Sequence, residues 1–381
     1  MVAWLPSSLP AEPKRLWRKK LSSQGLGGVA ANEKYVVVVD RDLGDSFDIY
    51  RCLDADTGAE LWTVRTLARG KLDYGNSPRA TPLLHGDQVY LLGAFGHLQC
   101  VELATGKVVW RLDIRTAFNA DDELIWGVSA SPLIVDGKLI VNPGAREASL
   151  VALDPLTGKV LWKTPGESAA FASFIVAELG GKRQLVGYDK TSLGGWDIAT
   201  GERLWTLVPP RKNDYNVPTP IQAGEFLLVS TENNGTRMYR FDKEGKIVPK
   251  PVAENLDLAP DAHSPVLSEG KLFGVWHQIY CLDASNGLKT IWSHEDEAFE
   301  HHTSILASPE RVLISTQNGE LILLDARASK YQPLARVRVL EDETGVYSHP
   351  ALVGKRLYLR GSGEIICLDL SEHGQTAGEA R

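Results

Sequence analysis

One short pattern recurs along the whole chain and narrows the possible folds more than any other feature. LDADTGAELW (53–62), VELATGKVVW (101–110), ALDPLTGKVLW (152–162) and WDIATGERLW (196–205) share one layout. Each has an apolar strand, an acidic turn closing on Thr-Gly, and a second strand ending on Trp, so each reads as a β-hairpin. Looser copies at 239–248, 281–292, 323–334 and 367–370 set a period of roughly 40 to 50 residues. A unit of about four short strands cannot cover both faces of its own sheet. It must stack on its neighbours, and radial stacking of such sheets makes a β-propeller.

The two chain ends are out of step with this repeat. Residues 347–370 supply three strands and then run into SEHGQTAGEAR, 371–381, which is expected to be a flexible tail. At the other end KRLWRKKL, 14–21, is a Trp-bearing strand with no hairpin before it. Placing 14–21 beside the last three strands completes an eighth sheet and leaves no open edge. The expectation is an all-β, eight-bladed propeller over 1–381 as one domain, closed by its N-terminal strand. Each innermost strand is expected to start near a Ser/Thr-Pro pair, as in ATPLL (80–84), ASPLIV (130–135) and HSPVL (263–267). Six of the ten tryptophans, Trp17, Trp62, Trp110, Trp162, Trp205 and Trp292, fall at one register of the outermost strand. They are expected to wedge between blades, and removing one should cost about 3 to 5 kcal/mol.

Composition excludes several partners. A formal charge of −7 disfavours nucleic acid and anionic membrane surfaces. No stretch has the length and apolarity of a transmembrane helix, and residues 1–17 show no signal-peptide core, so a cytoplasmic location and an exported, processed chain both stay open. Cys52, Cys100, Cys281 and Cys367 all stand two residues before the acidic position of a hairpin, where Ala152 and Gly195 stand in other copies. The position calls for a small buried side chain, and blades spaced about 10 Å apart are too distant for a bridge, so four free thiols are expected. DRDLGDSFD, 40–48, does not fit the EF-hand pattern and reads as a solvated acidic loop. No histidine spacing of a metalloprotease type occurs, and no metal is expected.

The hairpin signature AxDxxTGxxxW, met in full by ALDPLTGKVLW, resembles the tryptophan-docking repeat of quinoprotein dehydrogenases and of their PQQ-like propeller relatives, among them the outer-membrane assembly lipoprotein BamB. The resemblance spans essentially the whole chain. It implies a periplasmic or cell-envelope setting and either scaffold or enzyme work. The adjacent Cys-Cys pair and the CxxCH haem site of quinoprotein alcohol dehydrogenases have no counterpart here, so PQQ is not expected.

Strand order sends the Thr-Gly hairpins to one face and the blade-to-blade links to the other. The link face is the varied one and should carry specificity. Its candidates for ligand binding are Asp73, Tyr74, Asn76, Arg79, Trp126, Tyr215, Asn216, Asp261, His263, His301 and His349, with Glu123, Asp214, His302 and Tyr347 beside them. His263, His301 and Tyr74 are the candidate acid–base groups, and Arg79 is the candidate clamp for a carboxylate or sulfate. The reading is a noncatalytic monomeric scaffold for a protein or carbohydrate partner. Its alternative is a lyase, hydrolase or oxidoreductase acting on a carbohydrate in the central funnel.

Overall fold

Valine-rich and aromatic segments form the strands that the repeat predicts, the middle strands of a blade buried along their length and outer strands such as Glu60–Leu67 alternating. The computed structural model describes residues 2–341 and 345–371 and contains eight antiparallel sheets of four strands each. Blade one runs over 30–67, blade two over 83–113, blade three over 133–164, blade four over 175–207, blade five over 221–255, blade six over 266–294 and blade seven over 303–338. Blade eight joins Ala351–Val353, Arg356–Arg360 and Glu364–Asp369 to Lys14–Lys20, with Lys14 opposite Asp369 and Lys20 opposite Glu364. The ring is therefore closed by the strand that the sequence left over. The proposed tail, from residue 372 onward, lies outside the described residues. Helix is confined to short pieces such as Ile114–Phe118, capped by the Asp113 carboxylate.

The repeat is explained by what each Trp touches. The Trp62 indole N–H donates to the Leu103 carbonyl of blade two at 2.7 Å, Trp110 to Pro155 of blade three at 2.9 Å, and Trp17 to Ala55 of blade one at 3.0 Å. Trp162 does the same to Ile198 at 3.2 Å and Trp292 to Ala328 at 3.3 Å. Each accepting carbonyl lies in the hairpin turn of the next blade, so the indole satisfies a turn carbonyl while covering apolar surface. The glycine of Thr-Gly is the platform: a Cβ on Gly106 would sit 2.7 Å from the Trp62 ring, and one on Gly58 2.6 Å from Trp17.

Trp205 departs from the wedge expectation in its hydrogen bond. Its N–H donates at 2.6 Å to Oε1 of Gln184 within blade four, and Gln184 Nε2 in turn donates to the Gly245 carbonyl of blade five at 3.0 Å. Gly195 stands at the small-residue position of this blade because Trp205 Nε1 and Gln184 Oε1 would lie 2.1 and 2.3 Å from any Cβ there. The position is paired with Trp in this blade as in five others, for example Cys52 opposite Trp62 and Cys367 opposite Trp17. All four cysteines are free and fully buried, and burial pushes the Cys52 and Cys367 thiols up to about 12.

Two blades place alanine where the others have Trp. In blade five Ala253 takes the position, and Asn255 Nδ2 donates to the Leu288 carbonyl of blade six at 3.0 Å. In blade seven the residue is Ala335, opposite Leu323, and the space toward blade eight is filled by Trp4, Leu5 and Leu9 from the N-terminal segment. The Val2 amide donates to the Ala307 carbonyl at 2.8 Å and fastens that segment.

The hydroxyl at the blade entry, before the proline in most links, also has a task that periodicity does not reveal. Ser131 Oγ accepts from the Thr81 amide at 3.0 Å, Ser173 Oγ from the Ser131 amide at 3.0 Å, and Ser264 Oγ from the Thr219 amide at 3.1 Å. The inner ends of blades two and three, three and four, and five and six are thus stitched together.

The acidic segment at 40–48 corrects the sequence reading of a solvated loop. Asp40 and Asp48 are both 0% exposed. Asp40 pairs with Arg51 and Arg360 and accepts the Ser22 and Ser23 amides, while Asp48 pairs with Arg41 at 2.6 Å. Arginines standing far away in sequence or on the facing strand supply the compensation that burial of a carboxylate requires.

Candidate functional site: the link face

The links between blades carry the varied residues to one face. Asn76, in the link from blade one, donates to Asp45 Oδ2 at 2.6 Å, and Asp45 lies in the loop between the second and third strands of that blade. Both loop types therefore share the face, as strand order predicts. Asn76 also donates to the Gly70 carbonyl and accepts from the Leu72 amide, so it staples its own loop.

Four consecutive links each bring one aromatic ring to a common point. Trp126 lies 4.6 Å from Tyr215, 4.7 Å from Phe171 and 6.3 Å from Tyr74, centroid to centroid. Tyr74 is 72% exposed and Tyr215 46%, and Ile125 beside Trp126 is exposed as well. Large apolar side chains on a loop face are not hidden here but displayed. Tyr74 is held at φ 61°, a left-handed conformation that costs a bulky residue strain. Arg79 braces it: its guanidinium donates to the Asp73 and Gly75 carbonyls on either side of Tyr74, both at 2.7 Å, and to the Ser77 carbonyl at 2.8 Å. The residue read as an anion clamp thus commits three of its five N–H donors to a turn. Burial pulls its pKa down to about 10, against the attraction of Asp48.

Behind this ridge lies a cleft of about 520 Å³. Its walls include Leu124, Ile125, Ala170, Phe171, Val208, Pro209 and Tyr215, with Lys190, Lys212 and Asn216 among the polar groups. Asp214 is already occupied, accepting from the Asn233 amide and from Asn234 Nδ2. Asn216, 2% exposed and at φ 55°, donates from Nδ2 to the Asp189 and Lys190 carbonyls and leaves Oδ1 without a donor among the described residues.

The histidines divide into two groups. His263 and His302 have ring centroids 5.3 Å apart, and Tyr347 stands 5.6 Å from His302. Burial, with help from His263 and His349, lowers the His302 pKa to about 3, and burial also lowers those of His263 and His349. These imidazoles are neutral at physiological pH. His349 engages the Pro350 carbonyl through Nδ1 at 3.0 Å. His301 points elsewhere: it is exposed and lines a rim hollow with His277, Glu295 and Glu300. Asp261 acts as a charge near His263 and Glu232.

Phe171 and His302 are the residues that sequence reasoning ranked too low. Phe171 was hidden because its link ends on Ser173-Phe174 without the proline used to align blade starts. One aromatic per link, a few residues before the stitched hydroxyl, is the signal that finds it. His302 and His301 are adjacent, and only strand direction at Thr303–Ala307 separates inward from outward.

The family model described as outer membrane protein assembly factor BamB, of the PQQ-like repeat type, matches residues 10–73 and 45–294. The chain belongs to this family. It is 22% identical over 354 residues to the assembly factor BamB of Shewanella oneidensis, covering 77% of this chain and 85% of that protein. It is 31% identical over 131 residues to the quinoprotein alcohol dehydrogenase PedH of Pseudomonas putida, covering 32% of this chain and 21% of the dehydrogenase. Aligned in this way, the chain spans about a fifth of that enzyme's length. Among solved structures, the quinohemoprotein alcohol dehydrogenase ADHIIG of Pseudomonas putida superposes with a TM-score of 0.67 at 12% identity, over 97% of this chain and 78% of that one. At that identity the likeness is one of fold.

Proposed function

We propose that this BamB-like propeller is a noncatalytic scaffold of the cell envelope that docks a protein partner on its link face. The observation that carries this reading is the aromatic ridge: Tyr74, Trp126, Phe171 and Tyr215 from four successive links, with Tyr74 72% exposed and braced in a strained turn by Arg79. Exposed aromatic anchors on a rigid frame are what protein interfaces use as hot spots. The envelope setting and the assembly role rest on the BamB relatives.

A second reading, an enzyme working in the funnel, draws on the dehydrogenase relatives and on the His263–His302 pair. A quinone cofactor of the PQQ type is a tricarboxylate and needs cations around it. Against that requirement stand the neutral histidines of the funnel, the engaged guanidinium of Arg79, and cysteines set singly in separate blades. The histidines, Arg79 and the separate cysteines therefore do not fit such a group in the funnel, and the scaffold reading does not call on it.

Photo-crosslinking in envelope preparations tests the scaffold reading. A benzophenone side chain placed at position 74 or 215 should trap one and the same protein, whereas one at Leu156 on the hairpin face should trap none. Equal trapping from Leu156, or no protein product at positions 74 and 215, overturns it.

A further inference from the structure

We propose that the cleft between blades three, four and five binds a small monoanion carrying an aromatic ring, an amide N–H and one carboxylate on a short scaffold, as in an N-acylated aromatic amino acid.

Three features of the lining specify that chemistry. A cleft of about 520 Å³ is of the size that encloses a small organic molecule, and its walls are largely apolar, with Phe171 and Tyr215 offering ring contacts. One residue of its wall holds a buried acceptor. Asn216 Nδ2 is committed to the Asp189 and Lys190 carbonyls, which fixes the orientation of the amide and leaves Oδ1 as an acceptor at 2% residue exposure. A buried carbonyl oxygen without a donor is costly, so a ligand N–H supplied there is favoured. Lys190 and Lys212 also line the cleft, are exposed, and form no ion pair among the described residues. They call for an acceptor that carries charge. Glu123, exposed at the same lining, would repel a second carboxylate and so limits the ligand to one. The Asp214 carboxylate keeps its charge but is buried, held by the Asn233 amide and Asn234, so a ligand entering the cleft meets the exposed lysines first.

The same three groups occur in a free N-acyl amino acid and in the last residue of a peptide. Calorimetric titration of the full chain with N-acetyl-phenylalanine, with its carboxamide, and with a hexapeptide ending in phenylalanine separates the possibilities. The acid should bind, and the carboxamide should bind about tenfold more weakly or worse. Lys190→Ala combined with Lys212→Ala should bring the acid down to the level of the carboxamide and leave the carboxamide unchanged. Both lysines are exposed, so this variant keeps its fold, which its melting temperature checks. Stronger binding of the hexapeptide assigns the site to a chain terminus, and stronger binding of the free acid to a metabolite; either supports the site. No heat from any probe up to about 5 mM, or equal binding of acid and carboxamide, overturns it. The cleft shares Phe171 and Tyr215 with the ridge but not Tyr74, so cross-linking from position 74 stands or falls apart from the titration.

Discussion

Trp205 donates its indole N–H to Gln184 Oε1 at 2.6 Å, inside its own blade, where its counterparts in five other blades reach across to the next hairpin. The glutamine then carries the connection onward to the Gly245 carbonyl. Blade four therefore keeps the inter-blade bond but inserts a side chain into it, and the space for that side chain comes from Gly195. Gly195→Ala should destabilise the protein by about 1 to 3 kcal/mol through overpacking. Ala is native at the equivalent position 152, so the penalty belongs to the Gln184 relay, and urea unfolding of the single variant measures it. No loss of stability would show that the relay tolerates displacement.

Trp62→Phe keeps most of the buried ring but removes the donor to Leu103. The expected loss is about 1 to 3 kcal/mol, from an unpaired turn carbonyl. Trp62→Ala should cost about 3 to 5 kcal/mol. A Phe variant as unstable as the Ala variant would place the whole contribution in the hydrogen bond, one as stable as the parent would place it in the ring, and the same unfolding curves decide between them.

Tyr74→Asn should raise the melting temperature slightly, because asparagine tolerates the left-handed conformation that tyrosine occupies at φ 61°. The same change should abolish partner cross-linking through the ridge, read with the benzophenone at position 215. Gain of stability with loss of docking is the expected signature of strain held for function.

Protonation should act on stability in two opposed ways. The His302 pKa falls to about 3 in the folded protein, so stability from this group is full above the ordinary histidine value and is lost as pH falls from about 6.5 toward that folded value. Asp48 is raised to about 7 by burial, against the pull of Arg41, so its contribution is fullest below the ordinary carboxylate value and is lost as pH rises from about 4 to 7. His302→Gln should therefore flatten the decline on the acid side, and Asp48→Asn the decline toward neutrality. Denaturant midpoints at pH 5 and pH 8 for the two variants check both signs.

The repeat by itself determined the blade count, the closing strand 14–21, the register of the Trp positions and the free cysteines, because each follows from local alternation and from a period that neighbours must share. A hairpin motif states its own strand pairing and, by repetition, its stacking partner. The tertiary structure alone decided that Asp40 and Asp48 are buried ion-pair members, since their arginines stand far away in sequence or on the facing strand. It alone turned Arg79 from a ligand clamp into a brace for Tyr74, and put His302 rather than His301 beside His263. Phe171 joined Trp126 for the same reason. Links between blades carry no period, and which of their side chains meet depends on where eight separate loops end in space, a relation that no local pattern encodes.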